Sequence, residues 1–272
     1  SANFAISLML VVSFAGIAVG FADYLASRSA PVFAGDFLLL RPNPAGAINI
    51  PPVPADLETD LAALRAEAQV FDLAGTRLPG YGIGADIGPT ADVLVVGMDY
   101  LRARPSLAIP VEGSLDEAEQ YIAVGPSILL AESAARRRNL HVGDTTVIGT
   151  LEGPVMFTVA LIHTGYTFIP IEYGPRYFGV HPGLFLVNAL PGHDKADLRG
   201  RLEKLKQKHN LQLVDDPEQW LSDGLDQLFS GLFGLFAALT SISGVVASLN
   251  LITLLVASVL EPQRELGTLR AL

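Results

Sequence analysis

Gln227-Leu-Phe-Ser-Gly-Leu-Phe-Gly-Leu-Phe-Ala-Ala-Leu-Thr-Ser-Ile-Ser-Gly-Val-Val-Ala-Ser-Leu-Asn-Leu-Ile-Thr-Leu-Leu-Val-Ala-Ser-Val-Leu260 is a run of 34 residues without Asp, Glu, Lys or Arg. As a helix rising about 1.5 Å per residue it reaches roughly 50 Å, whereas about 20 residues cross the hydrocarbon core of a bilayer. The run predicts a membrane-spanning helix over 223–260 with a turn or more left over. Charge returns at once in the amphipathic tail Glu261-Pro-Gln-Arg-Glu-Leu-Gly-Thr-Leu-Arg-Ala-Leu272. Such a tail is placed to meet something at the membrane surface. This pattern belongs to a membrane device rather than a soluble enzyme.

Working outward, the first 22 residues are also uncharged, and Asp23 is the first charge. Mean hydropathy is +0.40 and half of the residues are hydrophobic, concentrated at the two ends. A secretory signal would place basic residues ahead of a shorter apolar core. None precedes this one, so residues 1–26 are expected to form a second span, with residue 1 a cut inside a larger protein. The only basic residues flanking the second span are Arg264 and Arg270. By the positive-inside rule they put the C-terminus in the cytoplasm, residues 27–222 outside and residue 1 inside.

Residues 27–222 hold 16 basic and 23 acidic residues, enough chain for one large domain or two small ones. The acidic balance, without a basic aromatic stripe, argues against nucleic acid. With 0 cysteines, disulfides and thiolate metal sites are excluded.

The expected elements follow from pattern. Asp36–Arg41 reads as a strand and the proline-rich 42–54 as a loop. Ala55–Glu67 reads as a helix, with Leu57, Leu61 and Leu64 on one face. Gln69–Leu73, Ala91–Met98 and Gln120–Val124 read as strands, and Gly125–Asn139 as a helix with Pro126 in its first turn. Gly143-Asp144 is a turn into a β-branched strand, and Val155–His163 follows as another. The aromatic segment 164–183 is either a packed loop or a partner or lipid contact. Leu184–Val187 is a strand and Asp194–His209 a surface helix with Leu198, Leu202 and Leu205 on one face and four Lys on others. Leu211–Val214 is a last strand, after which Asp215-Asp-Pro-Glu218 starts a helix that runs on into the membrane.

Catalytic sets are lacking in the sequence. The glycines of Gly80–Gly88 miss the dinucleotide spacing because residue 85 is Ala, which leaves a flexible loop. His141, His163, His181, His193 and His209 are scattered. Asp215/Asp216 are explained by a helix start, and Arg136–Arg138 suit a helix C-terminus better than an anion site. No catalytic, cofactor or metal residue is expected.

The order of span, external domain, long span and tail resembles the FtsX/MacB-like permeases of ABC transporters. Glu261, Glu265, Leu266, Gly267, Leu269, Arg270 and Ala271 are similar to the motif that ends the second helix of that family; Pro262 departs from it. Ala131–Thr145, a helix followed by Leu140-His-Val-Gly-Asp144, resembles a segment of the family's external domain, as does Val155–Tyr166. The resemblance implies an α+β extracytoplasmic domain of MacB-like core over 27–222, with two subdomains split by an insertion at about 100–165. Two transmembrane helices are expected to flank it in a bacterial cytoplasmic membrane.

It further implies a non-enzymatic permease subunit that binds no cofactor itself, ATP being used by a cytoplasmic ABC ATPase. A second permease half or an identical copy, membrane lipid and an extracytoplasmic protein are the other implied partners. Export or extraction of a lipid, lipoprotein, peptide or drug is the implied task. Glu261, Arg264, Glu265, Leu266, Leu269 and Arg270 would couple to the ATPase, against the alternative of an interfacial helix. Gly231, Gly234, Ala237, Ser241, Gly244 and Ser248 recur three or four apart and suit close helix packing, in a dimer seam or an ordinary bundle. Two other readings fit the same architecture: a two-span sensor with an external ligand-binding domain, and a regulator of cell-wall hydrolases.

Overall fold

The computed structural model describes residues 31–42, 51–77 and 92–224, and part of the helix between 226 and 253. The chain divides into two compact units. One runs from Ala30 to Trp220, and the described part of the other is helical.

The first unit is built on one sheet, ten-stranded among the described residues. Its strands are β1 (Phe37–Leu40), β2 (Ala68–Arg77), β3 (Asp92–Val96), β4 (Ile109–Glu112), β5 (Ser127–Ala131), β6 (Thr145–Thr150), β7 (Gly153–Thr164), β8 (Phe168–Pro170), β9 (Leu184–Ala189) and β10 (Gln212–Val214). The order is β10-β1-β9-β2-β3-β8-β5-β7-β4, with β6 also on β7. Helices that accompany it among the described residues include α1 (Ala55–Arg65), α2 (Met98–Ala103), α3 (Leu115–Val124), α4 (Glu132–Arg138) and α5 (Lys195–His209).

Alternate residues along a strand serve opposite faces. Phe37 and Leu39 of β1, with Phe185 and Val187 of β9, join a core with Leu57, Leu61 and Leu64 of α1 and Leu198 and Leu202 of α5. Leu38 and Leu186 point the other way, into a core with Tyr100 and Leu101 of α2 and Ala118 of α3. A third core gathers Ile128 and Leu130 of β5, Phe157 and Val159 of β7, and Ala134 and Ala135 of α4. The sheet is thus covered on both faces, which is why its strands read as apolar runs.

The segment 100–165 supplies β4, β5, β6 and β7, as an insertion would. β3 pairs with β8 in parallel and β8 pairs with β5, so hydrogen bonding is continuous from one half to the other. The expected two subdomains are two halves of one sheet within one unit.

Two neighbouring expectations are reversed. Residues 120–124 are the end of helix α3, not a strand, and 127–131 are strand β5, not the start of a helix. Helix α3 is set by Ser114 as its N-cap. The Ser114 hydroxyl oxygen accepts from the Glu117 N–H at 3.2 Å, and its own O–H donates to the Glu117 carboxylate at 3.1 Å. Strand β5 lies between β7 and β8, and every one of its residues is buried. A five-residue run buried on both faces is what an interior strand requires, and periodicity alone does not distinguish it from a helix. Only the Glu132–Arg138 part of the expected helix forms. It ends on Asn139 in the left-handed region at φ 51°.

Elsewhere pattern and structure agree closely. β1, α1, β9 and α5 fall where the sequence places them, with Asp194 capping α5 through the Ala196 N–H at 2.8 Å. Gly143, at φ 90°, makes the turn into β6. The aromatic segment 164–183 is packed: Phe168 and Ile169 are fully buried, and Tyr177 and Phe178 surround Phe157. The glycine-rich loop 80–88 lies outside the described residues.

Candidate functional site at the entry and exit of the domain

The chain enters the domain just before β1 and leaves just after β10. These two strands are antiparallel neighbours, with Leu38 opposite Val214 and Leu39 opposite Leu213. Entry and exit therefore lie at the same end of the same pair of strands.

The entry is held from several sides. Val32 is buried, and its carbonyl accepts a hydrogen bond from the Tyr100 hydroxyl. Tyr100 has no exposed surface, and its ring meets Phe71 edge-on at 5.4 Å. Burial raises its phenol pKa well above the ordinary value, so the hydroxyl stays a donor. Gly35 runs close to β9: a Cβ there would meet Leu186 at 2.8 Å and Asn188 at 2.9 Å. Asp36 accepts from the Ala189 N–H at 2.9 Å and from Lys195 Nζ at 2.5 Å, while its own N–H donates to Asn188 Oδ1. Burial pushes the Asp36 carboxyl up, but the Lys195 and Ala189 bonds together hold it below the usual carboxylate range.

The exit is tied by ions and a cap. Asp215 takes two bonds from the Arg199 guanidinium, at 2.7 and 2.9 Å, and these lower its pKa. Asp216 caps the next helix, its Oδ1 accepting from the Gln219 N–H at 2.9 Å. Residues 217–224 are helical, as are the described residues from 226 to 253.

In the second unit, Ile242, Val245, Val246, Leu249, Leu251 and Ile252 are each more than half exposed. At 100° per residue, Leu251 lies opposite Ile242, so the apolar surface is not confined to one face. Thr253 returns its hydroxyl to the Leu249 carbonyl at 2.8 Å. Of the small residues expected at a packing seam, Gly231, Gly234, Ser241 and Ser248 are helical and exposed. Ala237 and Gly244 lie outside the described residues. So do Glu261, Arg264, Glu265, Leu266, Leu269 and Arg270. Among the described residues, no helix is long and apolar enough to cross a membrane.

Among the described residues the domain also carries open clefts. One of about 440 Å³ lies among Arg65, Asp72, Asp99 and Glu172. Asp72 is paired with Arg65 at 2.5 Å, yet burial keeps its carboxyl above the usual range. A second, of about 270 Å³, lies between β4 and α4 and includes Glu112 and His141, 3.1 Å apart. A third, of about 300 Å³, separates α1 from α5 and is lined by ion-paired side chains such as Asp60 and Lys208. His163 is fully buried, stacked on Phe168 with Nδ1 2.9 Å from the Thr164 carbonyl, and burial lowers its pKa. It is a core histidine. No metal-ligating group of three or more His, Cys, Asp or Glu is present among the described residues.

Sequence reasoning named the exit acids as a helix start but missed Tyr100, Asp36, Lys195 and Arg199. The single available signal was the four-residue spacing of Lys195 and Arg199, which puts both on one face of α5.

No protein-family model matches the chain, and no curated protein matches it. Solved structures do. The periplasmic region of MacB from Actinobacillus actinomycetemcomitans is similar at 15% identity and a TM-score of 0.48, over 74% of this chain and 95% of that one. The extracellular domain of the noncanonic ABC-type transporter YknZ from Gram-positive bacteria is similar at 12% identity and a TM-score of 0.44, over 65% and 98%. A domain assigned to a permease protein from Porphyromonas gingivalis is similar at 14% identity and a TM-score of 0.39, over 65% and 85%.

Proposed function

We propose that the chain is part of a permease subunit of an FtsX/MacB-like ABC transporter, in which residues 27–222 form the extracytoplasmic domain between two membrane spans. The observation that carries this reading is the pairing of Leu38 with Val214. It brings entry and exit to one end of the sheet, as a domain carried by two spans of one membrane needs. The helix capped by Asp216 then leads into the uncharged run 227–260. A helix with exposed apolar side chains on opposite faces suits lipid and helix neighbours better than water. The foot Glu261, Arg264, Glu265, Leu266, Leu269 and Arg270 is the segment that would take up motion from a cytoplasmic ATPase. A second permease half or copy would pack at the small-residue stripe. The cargo is an extracytoplasmic lipid, lipoprotein, peptide or drug.

These 272 residues contain 0 cysteines, so single cysteines placed among them test the arrangement in the full-length protein in cells, once any cysteine outside them has been replaced by serine. Lys204→Cys is expected to react with a membrane-impermeant maleimide in intact cells, and Thr268→Cys only after lysis. The reverse pattern, or equal labelling of both sites in intact cells, would sink the topology. Charge reversal at Glu265 and Arg270 is expected to abolish stimulation of the partner ATPase; unchanged stimulation removes the coupling role.

A further inference from the structure

Lys195 and Arg199 stand one turn apart at the start of α5, and each holds a different end of the domain. Lys195 Nζ is 2.5 Å from Asp36, the residue that precedes β1. Arg199 makes its two bonds to Asp215, the residue that follows β10. The two acids lie at the same end of the paired strands, next to the point where Leu38 is opposite Val214. α5 is itself fixed to the sheet by Leu198 and Leu202, packed on Phe37, Leu39 and Val187.

We infer that α5 is a two-pronged staple that locks the entry and the exit of the domain to each other and to the sheet. Without it, the residues just outside the β1–β10 pair would lose a side-chain tie on each strand and gain local freedom, while the strand pairing itself stays. With it, a displacement of either flanking segment moves the β1–β10 pair and α5 as one body. The use of this body as a load path rests on the permease reading above; the staple itself rests on the two ion pairs.

The pairs suit a local fastener. Lys195 and Arg199 are half or more exposed, so their contribution to global stability is small. What they contribute is geometry. The bidentate Arg199–Asp215 pair fixes direction as well as distance. Asp36 adds backbone contacts to β9 through Ala189 and Asn188, so the entry is anchored even where water reaches Lys195.

The test uses the full-length protein in detergent, with spin labels at Ala34→Cys and Glu218→Cys. A single narrow distance distribution is expected between the two labels. Arg199→Asp is expected to broaden it about twofold while leaving the unfolding midpoint nearly unchanged, since local order is lost without global unfolding. Adding Asp215→Arg restores the opposite charges and is expected to bring the narrow distribution back. An unchanged width in Arg199→Asp, or a broadening that the charge swap does not reverse, overturns the staple. The readout involves neither ATPase nor membrane topology, so its failure leaves the cysteine-labelling result untouched, and the reverse also holds.

Discussion

Leu38 and Val214 are direct antiparallel partners, although nearly the whole domain lies between them in sequence. Leu38 has no exposed surface, and its side chain sits in the same core as Tyr100 and Phe71. The strand that begins the domain and the strand that ends it are thus parts of one packing unit. Leu38→Ala removes most of a fully buried side chain and is expected to cost about 2–5 kcal/mol. Denaturant unfolding of the chain measures this. A loss no larger than that of a surface substitution such as Lys204→Ala would show that this edge of the sheet is not part of the cooperative core.

Tyr100→Phe isolates one hydrogen bond. The ring keeps its edge-on contact with Phe71, while the buried Val32 carbonyl loses its donor. A buried acceptor left unpaired costs about 1–3 kcal/mol. Hydrogen exchange of the amides within 31–36, Pro31 having none, is expected to rise along with the drop in unfolding midpoint. A midpoint drop without any change at 31–36 would mean that Tyr100 acts through packing alone.

Asp72 and Asp36 are expected to respond to pH with opposite signs. Burial raises the Asp72 pKa in the fold despite Arg65. Stability linked to Asp72 is therefore present at low pH and lost as pH rises through the folded value. Arg65→Ala removes the opposing charge, so its destabilisation should be larger at about pH 8 than at about pH 5. Asp36 is lowered by Lys195 and the Ala189 N–H against its burial. Its contribution is present above the unfolded value of about 3.9 and lost as pH falls through the folded one. Asp36→Asn should thus destabilise at neutral pH and converge with the parent in acid. Urea midpoints across pH check both; parallel profiles for parent and variant would refute the assignment.

Asn139 and Asn210 close α4 and α5 in the left-handed region, both at φ 51°. Glycine adopts this conformation without strain, whereas a β-branched residue resists it. Asn139→Gly is expected to be neutral within about 0.5 kcal/mol, and Asn139→Val to cost about 1–2 kcal/mol. Thermal unfolding of the pair of variants checks this. Equal stability of the two would mean that the helix end relaxes into another conformation.

Much of the domain was legible because its signals are local. The leucines of α1, the Asp194 cap of α5 and the Gly143 turn each act within a few residues, and each element formed where its pattern lies. The exchange of helix and strand across 120–131 has an equally physical cause. Ile128-Leu-Leu130 carries no period, and it became a strand because β7 and β8 pair with its two edges while a core covers each face. The Ser114 N-cap was the one local clue that a helix begins earlier. Of the residues expected to couple or pack, the described ones are helical and exposed, and the tail from Glu261 to Arg270 lies outside the described residues.

The sequence by itself determined the uncharged run, its amphipathic foot, the acidic helix start at Asp215-Asp216 and the mixed helix–strand character of the middle. Those are properties of neighbours along the chain, and composition and periodicity report them. Only the tertiary structure decided that Leu38 faces Val214, that the strands of 100–165 join the same sheet as the rest, and that Lys195 and Arg199 reach the entry and the exit of the domain. Such partners are chosen by burying both faces of a sheet at once. A residue's own segment carries no record of which distant strand completes that burial.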